Sequence, residues 1–164
     1  RWARLLRVEI ALASGNVAGA QAALNDTPAK KDSPGSGMLV TRRPELFLSA
    51  QIVLHANQSG QLAQVNALAQ RLQMWVADHP RDAQAWQLLS SAYAAQGQTL
   101  RAIRADAETQ VALLDYAAAL DRFKAAQDFV RKGGAATPDH IEASIIDTRR
   151  RQVESVLKEQ ALER

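Results

Sequence analysis

His79-Pro80-Arg81-Asp82-Ala83-Gln84-Ala85-Trp86-Gln87-Leu88-Leu89-Ser90-Ser91-Ala92-Tyr93-Ala94-Ala95-Gln96-Gly97 holds one helix together with both of its boundaries. Pro80 ends whatever helix precedes it, and Asp82 is suited to cap the next one. Trp86, Leu89 and Tyr93 recur at i, i+3 and i+7, so the large side chains fall on one helical face, and Gly97 closes the segment. Ser90 and, beyond the turn, Ala102 are small, which lets a second helix lie close against the first.

The same punctuation recurs along the chain. Trp2, Leu5, Leu6, Val8 and Leu12 have helical spacing before the break at Ser14-Gly15-Asn16, and a small-residue helix from Val17 to Leu24 follows. Residues 26–43 carry two Pro, two Gly and little periodicity, and are expected to form an exposed loop. Pro44 opens a helix that runs through Phe47 and Leu54 to Asn57-Gln58-Ser59-Gly60, and another runs from Gln61 to Asp78. After Gly97, helices are expected from Thr99 to Leu114 and from Asp115 to Lys132, where Gly133-Gly134 stops the second. Thr137-Pro138 marks the start of a long C-terminal helix over 137–164. About eight helices joined mostly by tight turns, with breaks spaced by roughly one helix pair, read as an α-α superhelix of helix hairpins.

Composition agrees with an all-α class. Val, Ile and Thr form no alternating runs, so no strands are expected in the 164 residues, and the length suits a single repeat domain. Twenty basic and 17 acidic residues leave a formal net charge of +3, too small a surplus to point to nucleic acid. Cys is absent, which removes thiol nucleophiles and cysteine zinc sites, and no apolar run approaches the roughly 20 residues that cross a bilayer. The chain opens on Arg1-Trp2 inside a helical pattern, so it is expected to be a fragment of a longer protein, with Trp2, Leu5 and Leu6 exposed at its N-terminal edge.

The spacing Trp86-x-x-Leu89-Ser90-x-x-Tyr93, with Ala102 following and Pro80 preceding, resembles the tetratricopeptide repeat, a helix pair of about 34 residues. Ala119, Leu120, Phe123 and Ala126 match the second helix of such a unit in a register that begins near Leu100. The two registers differ by half a repeat, so the helix from Thr99 serves as second helix of one unit and first helix of the next. Gly15, Ala20 and Leu24 give a weaker third match.

Over His79 to Leu89, Ala92 to Gln98, Arg101 to Phe129 and His140 to Asp147, the chain also resembles the C-terminal repeat region of the BepA-like, M48-family zinc metalloproteases of the bacterial periplasm. The resemblance implies a periplasmic location and a preceding catalytic domain that binds zinc through a His-Glu-x-x-His helix and a further glutamate. It also implies partners: the protease domain itself and outer-membrane assembly proteins. His-Glu-x-x-His does not occur in these 164 residues, so the resemblance carries no catalytic residue, metal ligand or cofactor to any position here.

The residues themselves agree. His55, His79 and His140 are far apart with no second His one turn away, and no Gly-x-Ser-x-Gly or phosphate-binding loop is present. Asp106 with Glu108, and Glu154 with Glu159, have the spacing of solvated helix faces. Arg149-Arg150-Arg151 is read likewise, since Asp147 and Glu154 balance it and no aromatic residue interleaves it. The second, fifth and ninth positions of each first helix line the concave groove of tetratricopeptide arrays. Here they are Gln84, Gln87 and Ser91 on one helix and Arg101, Arg104 and Glu108 on the next, a polar, weakly basic face suited to a peptide. The expected function is therefore non-catalytic docking of protein or peptide partners, as an accessory domain of such a protease or as a free-standing scaffold.

Overall fold

A computed structural model of the chain describes residues 2–26, 43–56, 62–133 and 139–163. Among the described residues there are eight α-helices and no strand: α1 (Trp2–Ala13), α2 (Val17–Asn25), α3 (Arg43–His55), α4 (Leu62–Asp78), α5 (Ala83–Ala95), α6 (Thr99–Ala112), α7 (Tyr116–Arg131) and α8 (His140–Leu162). The chain divides into two compact units, Arg1–Arg71 and Leu72–Arg164. The loop expected over 26–43 lies outside the described residues except at its ends, where Asp26 caps α2 and Arg43 is already helical. The start signal Thr137-Pro138 also lies outside them, and α8 begins at His140 behind Asp139.

Three connections, those after α1, α5 and α6, are short turns of one recurring geometry. At the end of α5, Gly97 N–H donates to Ala94 O (3.0 Å) and Gln98 N–H to Tyr93 O (2.9 Å), the paired bonds of a Schellman closure. The α1 end repeats it with Gly15 and Asn16, and the α6 end with Leu114 and Asp115. The residue after each left-handed position is then the N-cap of the next helix: Asn16, Gln98 and Asp115. Asn16 accepts from Gly19 N–H at 2.8 Å and Asp115 from Ala118 N–H at 3.0 Å, so two orphan donors are satisfied as soon as the chain reverses.

In the first unit, Leu5 and Val8 of α1, Ala20 of α2, and Leu48 and Ile52 of α3 form the core, with Leu12, Val17 and Leu24 packed on it. Leu5 is buried, contrary to the expectation that it shares the exposed edge with Trp2 and Leu6: it stands on the face of α1 turned to α2 and α3. In the second unit, Leu100 and Ala107 of α6, Ala119, Phe123 and Ala126 of α7, and Ile146 and Val153 of α8 form a continuous core. Ser90 Oγ of α5 donates to Ala102 O of α6 at 2.9 Å, an approach that small residues at both positions permit.

The anchoring aromatics have polar ends that are also satisfied. Trp86 Nε1 donates to Pro80 O at 2.9 Å, Tyr93 Oη accepts from Gln73 Nε2, and Trp75 Nε1 donates to Asp82 Oδ2 at 3.0 Å. Asp82 also accepts from Ala85 N–H at 3.3 Å, so one carboxylate caps α5 and holds the end of α4.

Alternate helices also touch. α1 contacts α3, and α6 contacts α8. Two reversals return the chain to its original direction, so α6 and α8 run parallel, and this juxtaposition builds the site described below.

The α6 closure departs from its siblings in one respect. Gly15, Gly97 and Gly133 take φ of +72°, +72° and +68°, whereas the corresponding position after α6 is Leu114 at φ 63°. The sequence offers no glycine there, which is why the expected helix overruns to Leu114 while α6 stops at Ala112. A left-handed conformation costs an L-residue roughly 1–2 kcal/mol, and Leu114 is 68% exposed, so little packing compensates it. Leu114→Gly is expected to stabilise the protein by up to about 1 kcal/mol after the added entropy of glycine in the unfolded chain, read as a higher urea midpoint.

Candidate functional site

Gln84, Gln87 and Ser91 form the outer row of α5. All three are exposed, while Ala85, Trp86, Leu89, Ala92 and Tyr93 on the other side of the same helix are buried. Ser91 Oγ donates to Gln87 O at 3.1 Å, which leaves the row a strip of amides and a hydroxyl without a formal charge.

Arg101, Arg104 and Glu108 do lie together on one face of α6, and the residues that meet them come from α8. Arg101 Nη2 donates to Asp139 Oδ2 at 3.1 Å, and its Nε lies 3.9 Å from Glu142. Arg104 Nε donates to Glu142, with its guanidinium 5.9 Å from the Trp86 ring centroid. Glu108 accepts two bonds from Arg149, from Nε and Nη2, both at 2.6 Å, and Arg149 Nη1 donates to Gln152 at 2.6 Å. The partners climb both helices in the same order, as parallel neighbours require.

Burial makes these pairs more than surface decoration. The Glu108 and Glu142 side chains are 7% and 6% exposed. A carboxylate so enclosed is strongly disfavoured without a counter-charge, and each has one: a bidentate fork on Glu108, and Arg104 with Arg101 beside it on Glu142. The bonds from Glu108 hold the Arg149 guanidinium above its ordinary value against the opposing effect of burial. Asp139 is held below its ordinary 3.8, first by the Glu142 N–H that it caps and then by Arg101.

Two expectations change here. Glu108 is a buried anchor rather than part of a solvated face with Asp106; Asp106 points elsewhere and pairs with Arg122 at 3.1 Å, because residues two apart on a helix look in different directions. The arginine run also divides: Arg149 is drawn inward to Glu108, Arg150 lies 3.1 Å from Glu154, and Arg151, 72% exposed, pairs with Asp147. The face formed by Arg101, Arg104 and Glu108 is thus matched in charge by Asp139, Glu142 and Arg149, and the weakly basic character expected of it is neutralised. Sequence reasoning missed Asp139 and Glu142 as its partners. Their only sequence signal is an acidic pair three residues apart that mirrors the basic pair Arg101 and Arg104, across 38 residues of chain.

Two of the three histidines make local contacts. His79 stacks on Trp75 with ring centroids 4.1 Å apart and planes within 10°, and His55 Nδ1 lies 2.8 Å from Gln51 O. Among the described residues, no group of three or more His, Cys, Asp or Glu could hold a metal ion, and no helix is long and apolar enough to cross a membrane. A cleft of about 420 Å³ opens between α7 and α8 over Val130, Ala143 and Ile146; on its rim Gln127 donates to Asp147 at 3.0 Å. No protein-family model matches the chain, and comparison with curated proteins and with solved structures returns no match.

Two measurements check the electrostatics. A double-mutant cycle with Glu108→Ala and Arg149→Ala is expected to give a coupling of about 1–3 kcal/mol in urea unfolding; a value near zero would make the pair ornamental. Because Asp139 is shifted down on folding, its contribution is complete above its ordinary 3.8 and is lost as pH falls through the lower folded value. Wild type is therefore expected to lose stability below about pH 4 by a margin that Asp139→Asn never had, seen as convergence of their urea midpoints in acid.

Proposed function

We propose that this chain is a non-catalytic, tetratricopeptide-like docking module whose α5 face receives a protein segment by side-chain hydrogen bonding. The observation that carries the reading is the division of labour on α5. One side is committed to packing through Trp86, Leu89 and Tyr93, and the other presents Gln84, Gln87 and Ser91 to solvent with no part in the core. Neutral amides and hydroxyls suit an extended peptide backbone, whose N–H and C=O groups need one donor or acceptor each. Arg101 and Arg104 border the strip with their charge already balanced, so the face favours hydrogen-bonding partners over strongly acidic ones.

The sequence likeness to the repeat region of BepA-like periplasmic metalloproteases supports a more specific setting. In it the module is an accessory domain that positions substrate, or outer-membrane assembly proteins, for a zinc protease domain carried by the same polypeptide. The parent polypeptide then contains a His-Glu-x-x-His helix and binds zinc. A parent polypeptide without that motif leaves the docking module as a free-standing scaffold.

Photo-crosslinking amino acids placed at Gln84, Gln87 and Ser91 in cells test the docking face directly. Discrete crosslinks to the same partner are expected at all three positions and none at exposed Lys124 on α7. Equal labelling at Lys124, or none at the three, would reject α5 as the docking face.

A further inference from the structure

Asp139 divides its two carboxylate oxygens between two elements. Oδ1 accepts from Glu142 N–H at 3.0 Å and caps α8, while Oδ2 accepts from Arg101 Nη2 of α6 at 3.1 Å. The capping bond ties the carboxylate to the backbone of α8, so its second oxygen is held ready for Arg101. The contacts between α6 and α8 differ in how far a docked segment could reach them. The Glu142 and Arg104 side chains are 6% and 16% exposed, and Glu108 is enclosed beneath the Arg149 fork. Arg101 and Asp139, at 40% and 32%, form the open end. That end also lies beside α5. Ser90 of α5 donates to Ala102 O of α6 at 2.9 Å, and the chain neighbours of these two residues are Ser91 of the proposed docking strip and Arg101.

Asp139 thus stands where the carboxylate of an acidic partner would bind. Such a partner has either to displace a carboxylate fixed by the α8 backbone or to share Arg101 with it, and sharing sets like charges side by side. A segment that offers only amides and hydroxyls meets neither obstacle. Resting on the docking role proposed for α5, we infer that Asp139 is a specificity-determining residue of that face. It is an internal carboxylate that occupies Arg101 and turns acidic segments away, so that the face takes uncharged extended ones. Glu142 cannot play this part alone. Its oxygen lies 3.9 Å from Arg101 Nε, outside hydrogen-bond distance, and its direct bond goes to Arg104. Asp139→Asn separates the two duties of the side chain. Asparagine caps a helix as well as aspartate does, so the first turn of α8 stays closed, but a neutral amide leaves the charge of Arg101 to a partner.

The test titrates the ¹⁵N-labelled 164-residue chain with two end-capped peptides of about ten residues, long enough to lie extended along a helix face. One is built of Gly, Ser and Asn, and the other has Glu in place of each Asn. Wild type is expected to show no preference for the acidic peptide. Asp139→Asn is expected to bind it about tenfold more tightly than wild type does, by an amount that shrinks as salt is added. Arg101→Gln in the Asp139→Asn background is expected to abolish the gain. Far-UV circular dichroism checks that the variants stay helical, and Asp139→Ser, which also keeps a capping oxygen, replaces Asp139→Asn if it does not. A wild type that already prefers the acidic peptide overturns the inference, as does an Asp139→Asn variant with no gain or a gain that survives Arg101→Gln. Shifts of the Gln84, Gln87 and Ser91 amides report on the docking face separately. A gain that moves α6 and α8 amides but none of these three upholds the role of Asp139 and rejects α5 as the docking face.

Discussion

A helix that ends in one left-handed residue has to turn back at once, and the hairpins α1–α2, α5–α6 and α6–α7 depend on that constraint. At Gly15, Gly97 and Leu114 a single positive φ closes the helix, and the next residue already caps the following one. With no slack in these three connections, α1 and α2, α5 and α6, and α6 and α7 fold back on one another. α8 packs on α7 and runs beside α6, and there Arg101, Arg104 and Glu108 meet Asp139, Glu142 and Arg149. The turns thus set the electrostatics, although none of the turn residues is part of the charged ladder.

The ladder is more than a set of surface salt bridges. Exposed ion pairs commonly contribute under about 1 kcal/mol, and those of Arg131 with Asp128 and Lys124 with Asp121 belong to that class. Glu108 and Glu142 differ because they are enclosed by helix on two sides, so their charge is tolerated only when α8 sits in one register relative to α6. The apolar contacts of Ile146 and Val153 with Phe123 and its neighbours would tolerate small slips. The bidentate fork on Glu108 would not, and it fixes the angular position of α8 and with it the side of α8 that carries Ile141 and Ile145 outward.

Much of the fold was legible in the sequence because its information is local. The i, i+3, i+7 recurrence of Trp86, Leu89 and Tyr93 marks a buried face wherever the helix goes, and Gly97 or Asp115 marks a boundary by its own backbone or side-chain preference. Leu114 was illegible for the same reason: leucine has no local preference for a left-handed conformation, so only the closure around it reveals the role. Of the candidate face, the α5 half was legible, since Gln84, Gln87 and Ser91 are exposed simply by lying opposite the core stripe. The α6 half was not, because whether an arginine faces solvent or a carboxylate depends on what the chain delivers next to it.

The sequence by itself therefore determined the helices, their inner faces and the reversals at Gly15 and Gly97, all consequences of side-chain spacing and backbone preference within a few residues. The tertiary structure alone decided that Glu108 is buried and that the arginine run is divided between solvent and core. It also decided that the basic stripe on α6 is balanced by α8. Those outcomes rest on charges 38 to 41 residues apart, and no local preference specifies a partner at that distance. The pairing exists because the intervening helices fix the direction, spacing and rotation of α8 before the side chains meet.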